Sequence, residues 1–112
     1  MNTIKINSDE EYQIIISILL EVCYGFRIDS FEEKIGAKKE VVVQLMERLR
    51  KERKSGIKEL NFSSLEIVII KNSLTEVELE MEWSATECML RIGAYMEEIK
   101  KIIESVLLRI GN

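Results

Sequence analysis

The sequence predicts an all-α fold, and three properties of the chain lead to that prediction. Its 112 residues include five Gly and no Pro, so it lacks the turn residues that sandwiches and barrels need between many short strands. Hydrophobic residues make up 46% and charged residues 32%, which suits one globular domain with a real core. Apolar residues also recur at helical spacing along most of the chain. We therefore predict a single domain built mainly of helices.

The two halves of the chain share one pattern, which predicts an internal repeat. A shift of 55 residues aligns the halves, and after a two-residue insertion the shift becomes 57. The aligned pairs include Ser8 with Ser63, Glu11 with Glu66, Asp29 with Ser84, Glu32 with Glu87, and Ile35-Gly36-Ala37 with Ile92-Gly93-Ala94. We predict a pseudo-twofold bundle of two repeats, residues 1–56 and 57–112, packed into one core because about 55 residues alone would be only marginally stable.

Helix-start and helix-stop signals predict six helices, three in each half. Capping-box or similar spacing marks four starts, at Ser8, Asp29, Ser63 and Ser84, and Gly25 is expected to end the first helix as a C-terminal glycine. The predicted spans are Ser8 to Gly25, Asp29 to Gly36, Lys38 to about Lys54, Leu65 to about Val77, Ser84 to Arg91, and Tyr95 to Ile110.

Three segments alternate apolar with polar residues. The segments 4–7 and 57–60 lie just before the first helix of each half, and we expect them to pair as two short strands. The segment from Glu76 to Trp83 reads EVELEMEW, which fits a strand or extended edge. The alternative is a helix that continues to Met81, because Glu, Leu and Met are strong helix formers. Both interpretations stay open at this point.

The residue types exclude several kinds of chemistry. The chain has no His, which removes the usual general base, the commonest zinc ligand and the central member of a hydrolytic triad. Cys23 and Cys88 lie far apart, and we interpret them as two buried thiols in a reducing compartment. No Gly-rich phosphate loop is present. We therefore predict no enzymatic activity, no metal and no cofactor.

The start of the chain indicates its location. Acidic residues at positions 9–11 stand where a secretory signal would be basic. The longest apolar run, from Ile14 to Leu20, is far too short to span a membrane and is interrupted by Ser17. We expect a cytoplasmic protein without a membrane span.

The charge is distributed unevenly, and the uneven part predicts a binding surface. Residues 1–56 hold ten basic and ten acidic side chains, whereas residues 57–112 hold six and ten, so the net charge of −4 lies in the second half. No basic residue lies between positions 76 and 87. Such an acidic run is either a solvated face or a surface for a basic partner, such as the nucleic-acid cleft of a nuclease. The predicted partner-binding residues are Glu76, Glu78, Glu80, Glu82, Trp83 and Glu87. Trp83 is either the anchor of that surface or an ordinary core residue.

A basic segment from Lys38 to Lys54 supports a second hypothesis. Residues 31–42 resemble the turn of a helix-turn-helix protein, with Gly36 at the bend and Val42 packing the second helix. The chain departs from that pattern at Glu32, where the family usually has a small residue. Its pI of about 5.0 also disfavours the many phosphate contacts that DNA binding needs. A DNA-binding transcriptional regulator is therefore the alternative function, and nucleic acid is the less favoured partner.

The stretch 60–77, LNFSSLEIVIIKNSLTEV, followed by Arg91-Ile92-Gly93-Ala94, resembles small bacterial immunity proteins that accompany polymorphic toxins, including those of contact-dependent growth inhibition. The resemblance spans about half of the chain. It implies a cytoplasmic protein that binds one toxin domain tightly and blocks its active site. Together with the acidic run, it leads to the prediction of an immunity protein that binds a basic toxin domain. Exposed apolar surface near Phe26 or Trp83 leaves a homodimer open as well.

Overall fold

Six helices and one two-stranded sheet make up the part of the chain that the computed structural model describes, which is residues 2–81 and 85–109. In chain order the elements are β1 (Asn2–Lys5), α1 (Asp9–Leu20), α2 (Phe31–Ile35), α3 (Lys39–Lys54), β2 (Glu59–Phe62), α4 (Ser64–Met81), α5 (Ala85–Ile92) and α6 (Met96–Leu108). A π-helical turn, Glu21–Gly25, extends α1. The predicted all-α class with two short strands is confirmed.

The element order runs strand, helix, helix, helix in each half of the chain. The strands β1 and β2 are antiparallel, with Ile4 opposite Leu60, and both of these side chains are fully buried. Each strand lies two residues away from its predicted position. The short helices α2 and α5 both end at a glycine with positive φ, Gly36 at 99° and Gly93 at 89°, as the glycine stop signals predicted.

The helix α1 lies at the centre of the core. It packs against α3, α4, α5 and α6. Its consecutive residues Ile14, Ile15 and Ile16 are all buried, so neighbours cover this helix on nearly every side. A helix that is apolar all round needs such an environment, and α1 has it.

Two of the predicted helix starts are confirmed by their hydrogen bonds. The backbone N–H of Glu66 donates to Ser63 Oγ at 3.1 Å, and the N–H of Ser63 donates to Glu66 Oε1 at 2.8 Å, which is a complete capping box. At α1 the N–H of Glu11 donates to Ser8 Oγ at 3.4 Å, but the Glu11 carboxylate accepts from the N–H of Asn7 instead of Ser8. The predicted start at Ser84 lies outside the described residues.

Two predictions about helix ends, at Asp29 and at Gly25, assigned the wrong physical cause. Asp29 does not cap α2, because that helix begins after Ser30, which has φ 55° and makes no side-chain cap bond. Instead, Asp29 forms an exposed ion pair with Arg27 at 3.1 Å. Gly25 does end the first helical segment, but its φ is not positive. A Cβ at Gly25 would collide with the carboxylate of Glu21 and would lie 2.7 Å from Arg91 Nη2, so this glycine provides space for the ion pair between those two residues.

Residues 76–81 are helical, which resolves one open alternative. The helix α4 continues to Met81, so a strand over that part of the acidic segment is wrong. The physical reason is visible at Val77, which is fully buried and packs into the core. Helical propensity and this burial together outweigh the period-two pattern. Glu82 and Trp83 lie outside the described residues, as does Ile110 at the predicted end of α6.

One buried hydroxyl has no hydrogen-bond partner among the described residues, and this predicts the effect of removing it on stability. Ser73 in α4 is fully buried, and its Oγ has no hydrogen-bond partner within the described part of the chain. We expect Ser73→Ala to raise the free energy of unfolding by about 1 kcal/mol in urea denaturation, because it removes an unsatisfied polar group. Ser17→Ala is the control, since Ser17 Oγ accepts a bond from Gln13 at 3.1 Å, and we expect no gain there. A loss of stability in Ser73→Ala would contradict this prediction.

Candidate functional site

The acidic residues of α4 do not lie on one side of the helix. Residues four apart are separated by about 40° around an α-helix, whereas residues two apart are separated by about 160°. Glu76 and Glu80 therefore share one side, and Glu78 points to the other. The period-two pattern would have placed all of them on one face of a strand, so the helix divides the predicted acidic surface.

Glu78 is engaged within the chain. Its Oε2 lies 2.9 Å from Lys100 Nζ on α6, in a half-exposed ion pair. The hydrogen bond that Lys100 donates to Glu78 raises the pKa of Lys100 above its ordinary value, and the charge of Glu78 adds to this effect. This carboxylate therefore joins α4 to α6.

Glu87 also belongs to an intrachain network, which is centred on Arg91. The Arg91 guanidinium donates to Glu87 at 2.7 Å, to the Gly25 carbonyl at 2.9 Å, and to Glu21, which is almost fully buried. These bonds fasten α5 to the π-helical turn that follows α1. The sequence did not predict this Arg91 network, although Arg91 is the only basic residue between Lys71 and Lys100.

Glu76 and Glu80 differ from the other two, because neither forms an ion pair with any residue in 2–81 or 85–109. Both are half-buried and lie near the C-terminal end of α4, where the last turn has no basic residue. The helix dipole is negative at that end, so the carboxylate of Glu80, which lies in the last turn, costs about 0.3–1 kcal/mol. Their i,i+4 spacing adds repulsion between like charges. Their position is unfavourable for folding alone.

Exposed aliphatic side chains lie along the same helix as these carboxylates. Leu79, between Glu76 and Glu80 in the sequence, is 61% exposed. Leu65 and Val68, nearer the start of α4, are 47% and 43% exposed. We call Leu65, Val68 and Leu79 the outer face of α4, and Glu76 with Glu80 its acidic end. Apolar surface next to unpaired charge is typical of protein-binding sites.

The basic helix α3 has much less free positive charge than its sequence suggests. Its three arginines are each bound to carboxylates within the chain. The pairs are Arg48 with Glu52 at 3.1 Å and Glu66 at 2.7 Å, Arg50 with Glu47 at 3.1 Å, and Arg53 with Asp9 at 2.6 Å. The predicted turn at Gly36 is present, but Glu40 and Glu47 are exposed on α3 together with its lysines. This surface is poorly suited to a polyanion.

The two cysteines are buried free thiols, as predicted. Burial raises the pKa of both Cys23 and Cys88, which keeps them protonated and unreactive. Cys88 Sγ donates to the carbonyl of Ala94 at 3.3 Å. Within the described ranges, no three Cys, Asp or Glu side chains come together as a metal site.

Two further predictions concern the surface of the chain. None of the helices in the described residues has the length and apolarity that a membrane crossing requires. Phe26, named above for a homodimer surface, is half-buried and packs against the core. The position of Trp83, the other residue named there, lies outside the described residues.

No protein-family model, no curated protein and no solved structure matches this chain. The chemistry of the chain's own surface is therefore what indicates its function.

Proposed function

We propose that this chain is an immunity protein that binds one basic bacterial toxin domain, a nuclease, in the cytoplasm. It neutralises the toxin by covering the active site, and it acts by binding alone, without catalysis or cofactor. The observation that carries this proposal is the acidic end of α4, where Glu76 and Glu80 remain without ion pairs in the described part of the chain. The resemblance to immunity proteins in residues 60–77 points in the same direction.

The energetics of the acidic end support a role in binding. Glu80 at the negative end of the helix dipole, together with its i,i+4 repulsion with Glu76, reduces stability, so selection for folding alone would favour neutral or basic residues there. A cationic partner removes this cost when it binds, because its positive charge replaces the missing ion pairs. Complementary charge also speeds encounter and rejects partners of the wrong sign.

The remaining predicted residues have different parts in this proposal. Glu82 and Trp83 extend the acidic end along the sequence and stay in the binding site as predicted from the sequence. Glu78 and Glu87 are held by Lys100 and Arg91, so a partner must compete with those bonds to use them. We therefore assign most of the electrostatic contribution to Glu76 and Glu80.

Growth rescue tests the proposed function directly. The C-terminal domain encoded by the reading frame next to this gene is expressed in a bacterial host with and without this chain. We expect that domain to stop growth alone, and we expect co-expression to restore growth and to yield a one-to-one complex. A domain that is toxic in both cultures, or that forms no complex with the chain, would overturn the proposal.

The helix-turn-helix alternative rests on the turn at Gly36 followed by α3. A regulator of that kind binds random duplex DNA with an affinity that falls steeply as salt rises. Because the arginines of α3 are paired with carboxylates, we expect no measurable binding at physiological salt in a fluorescence anisotropy series. Binding with a steep salt slope would favour the regulator over the immunity protein.

A further inference from the structure

The helix α4 is apolar on two opposite sides, which distinguishes it from an ordinary surface helix. One side packs into the core through Ile69, Ile70 and Val77, which are fully buried. The opposite side is the outer face, Leu65, Val68 and Leu79, which is open to solvent in the described structure. The helix α4 packs against α1, α2, α5 and α6 and still leaves these three aliphatic side chains exposed, whereas the comparably apolar α1 exposes no large hydrophobic side chain. A helix that is apolar all round is normally covered all round, so the outer face of α4 is incompletely covered.

The spacing of the residues on the outer face indicates what kind of secondary structure would pack against it. Leu65, Val68, Asn72, Thr75 and Leu79 follow one another at intervals of three and four residues, which is the spacing of a helix–helix seam. The row extends over about 21 Å, which is close to four helical turns. Asn72 occupies the middle of the row, and its side-chain amide donates to the carbonyl of Ile35 at 3.0 Å. The turn after α2 therefore borders the row on one side and fixes its central polar residue.

The charges beside the row indicate the charge of the segment that would pack against it. Glu76 and Glu80 flank Leu79 without ion pairs in 2–81 and 85–109, so the end of the row is acidic. We propose that the outer face of α4 receives one amphipathic helix of the partner protein, with an apolar stripe against Leu65, Val68 and Leu79 and with Lys or Arg beside the acidic end. The nature of that partner as a toxin rests on the proposed function, whereas the helical, cationic form of the docking segment does not.

Two synthetic peptides of about 18 residues test this inference. Both contain the same leucines, lysines, arginines and alanines. In the first the leucines are spaced at three and four residues with the basic residues beside them, and in the second the order is shuffled so that no apolar stripe forms. We expect the striped peptide to bind the full chain at least about ten-fold more tightly by fluorescence anisotropy. Equal binding of both peptides would overturn the inference, because charge alone would then explain the affinity.

Matched variants locate the binding. We expect Val68→Ser with Leu79→Ser to weaken binding of the striped peptide by about ten-fold or more, because both contribute apolar contact to the seam. Leu108→Ser is the control, since Leu108 is 79% exposed on a different helix, α6, and we expect its affinity to remain unchanged. Circular dichroism establishes that the variants stay folded. Equal losses in the two variants would contradict a seam on α4.

Sedimentation of the chain alone tests whether a second copy of the chain binds the outer face of α4 instead. We expect a monomer at micromolar concentration, because two acidic ends would repel each other. A dimer that dissociates in the Leu79→Ser variant would overturn the inference, since the outer face would then be the interface between two copies of the chain. Growth rescue by the chain is independent of these results: if rescue fails while the striped peptide binds, the proposed function falls and the helical docking site stands.

Discussion

Reversing the charge of the acidic end, Glu76→Lys with Glu80→Lys, is expected to weaken binding of the toxin domain by about 100-fold or more, which is about 2.7 kcal/mol. Most of the loss should lie in the association rate, because these charges steer a cationic partner toward the site. Stopped-flow or surface-plasmon kinetics in a salt series measure both rate constants. The affinity lost should shrink as salt rises.

The same double variant should not lose folding stability. The lysine at position 80 lies in the last turn of α4 and interacts favourably with the helix dipole, while the like-charge repulsion between positions 76 and 80 remains, so we expect the free energy of unfolding to rise by no more than about 1 kcal/mol. Opposite changes in binding and stability would mark these carboxylates as functional residues maintained at a cost to the fold.

The matched control applies the same change of net charge elsewhere. Glu10 and Glu98 are exposed in the first turns of α1 and α6 and form no ion pair within residues 2–81 and 85–109. We expect Glu10→Lys with Glu98→Lys to alter binding by less than about three-fold, since only the long-range field changes. If both double variants lose affinity equally, net charge and not the acidic end attracts the partner.

Replacing Glu11 with Gln is expected to lower the free energy of unfolding by about 2 kcal/mol at pH 7, because hydrogen bonds between charged groups are strong. The nearly buried Glu11 carboxylate accepts two bonds from Arg109, at 2.6 Å and 2.7 Å. Arg109 also donates to the carbonyl of Lys5 at 3.0 Å. This arginine therefore joins the end of α6 to β1 and to the first turn of α1.

The bond to Arg109 also predicts how stability changes with pH. It lowers the pKa of Glu11 below its ordinary value of 4.5. The stabilisation from this carboxylate is therefore complete above pH 4.5 and is lost as the pH falls through the lowered pKa. Gln cannot titrate, so the wild-type chain and Glu11→Gln should converge in stability as the solution becomes more acidic. Urea denaturation between about pH 7 and pH 3 measures that convergence.

Glu10→Gln is the control for this measurement. The carboxylate of Glu10, next to Glu11 in the sequence, is exposed and forms no ion pair in the described residues. We expect the stability of this variant to stay within about 1 kcal/mol of the wild type, because it loses only one favourable charge in the first turn of α1. Asp9, whose pKa is lowered by the hydrogen bond from Arg53, titrates in all three proteins and cancels in the comparison. A constant gap between wild type and Glu11→Gln down to the lowest pH would contradict the role of the Glu11 charge.

The fold could be predicted because its signals are local. Helical spacing of apolar residues and the boxes at Ser8 and Ser63 act within one or two turns, and they placed the first helix of each half. Gly36 and Gly93 ended α2 and α5 for the expected reason, a left-handed backbone that only glycine adopts without strain. Asp29 failed as a cap because its neighbour Ser30 starts the helix instead, and a one-residue shift of this kind leaves no clear signal in the sequence.

The site could be predicted only in part, because it depends on partners far apart in the sequence. The period-two run at 76–81 fits a strand as well as a helix, and the burial of Val77 in the tertiary core decided between them. Glu78 pairs with Lys100 on α6, and the Arg91 bond to Glu21 crosses 70 residues. The pair of Glu87 with Arg91 is an i,i+4 contact within α5 and could have been predicted from the sequence, whereas no local pattern shows the two long-range pairs.

Methyl NMR of the Leu- and Val-labelled chain, titrated with the unlabelled C-terminal domain from the adjacent reading frame, tests the docking of α4 most directly. We predict that the methyl signals of Leu79, Val68 and Leu65 shift on binding while that of Leu108 does not. Shifts confined to Val41 and Val43 on α3, with the α4 signals unchanged, would contradict the assignment of the binding surface to α4.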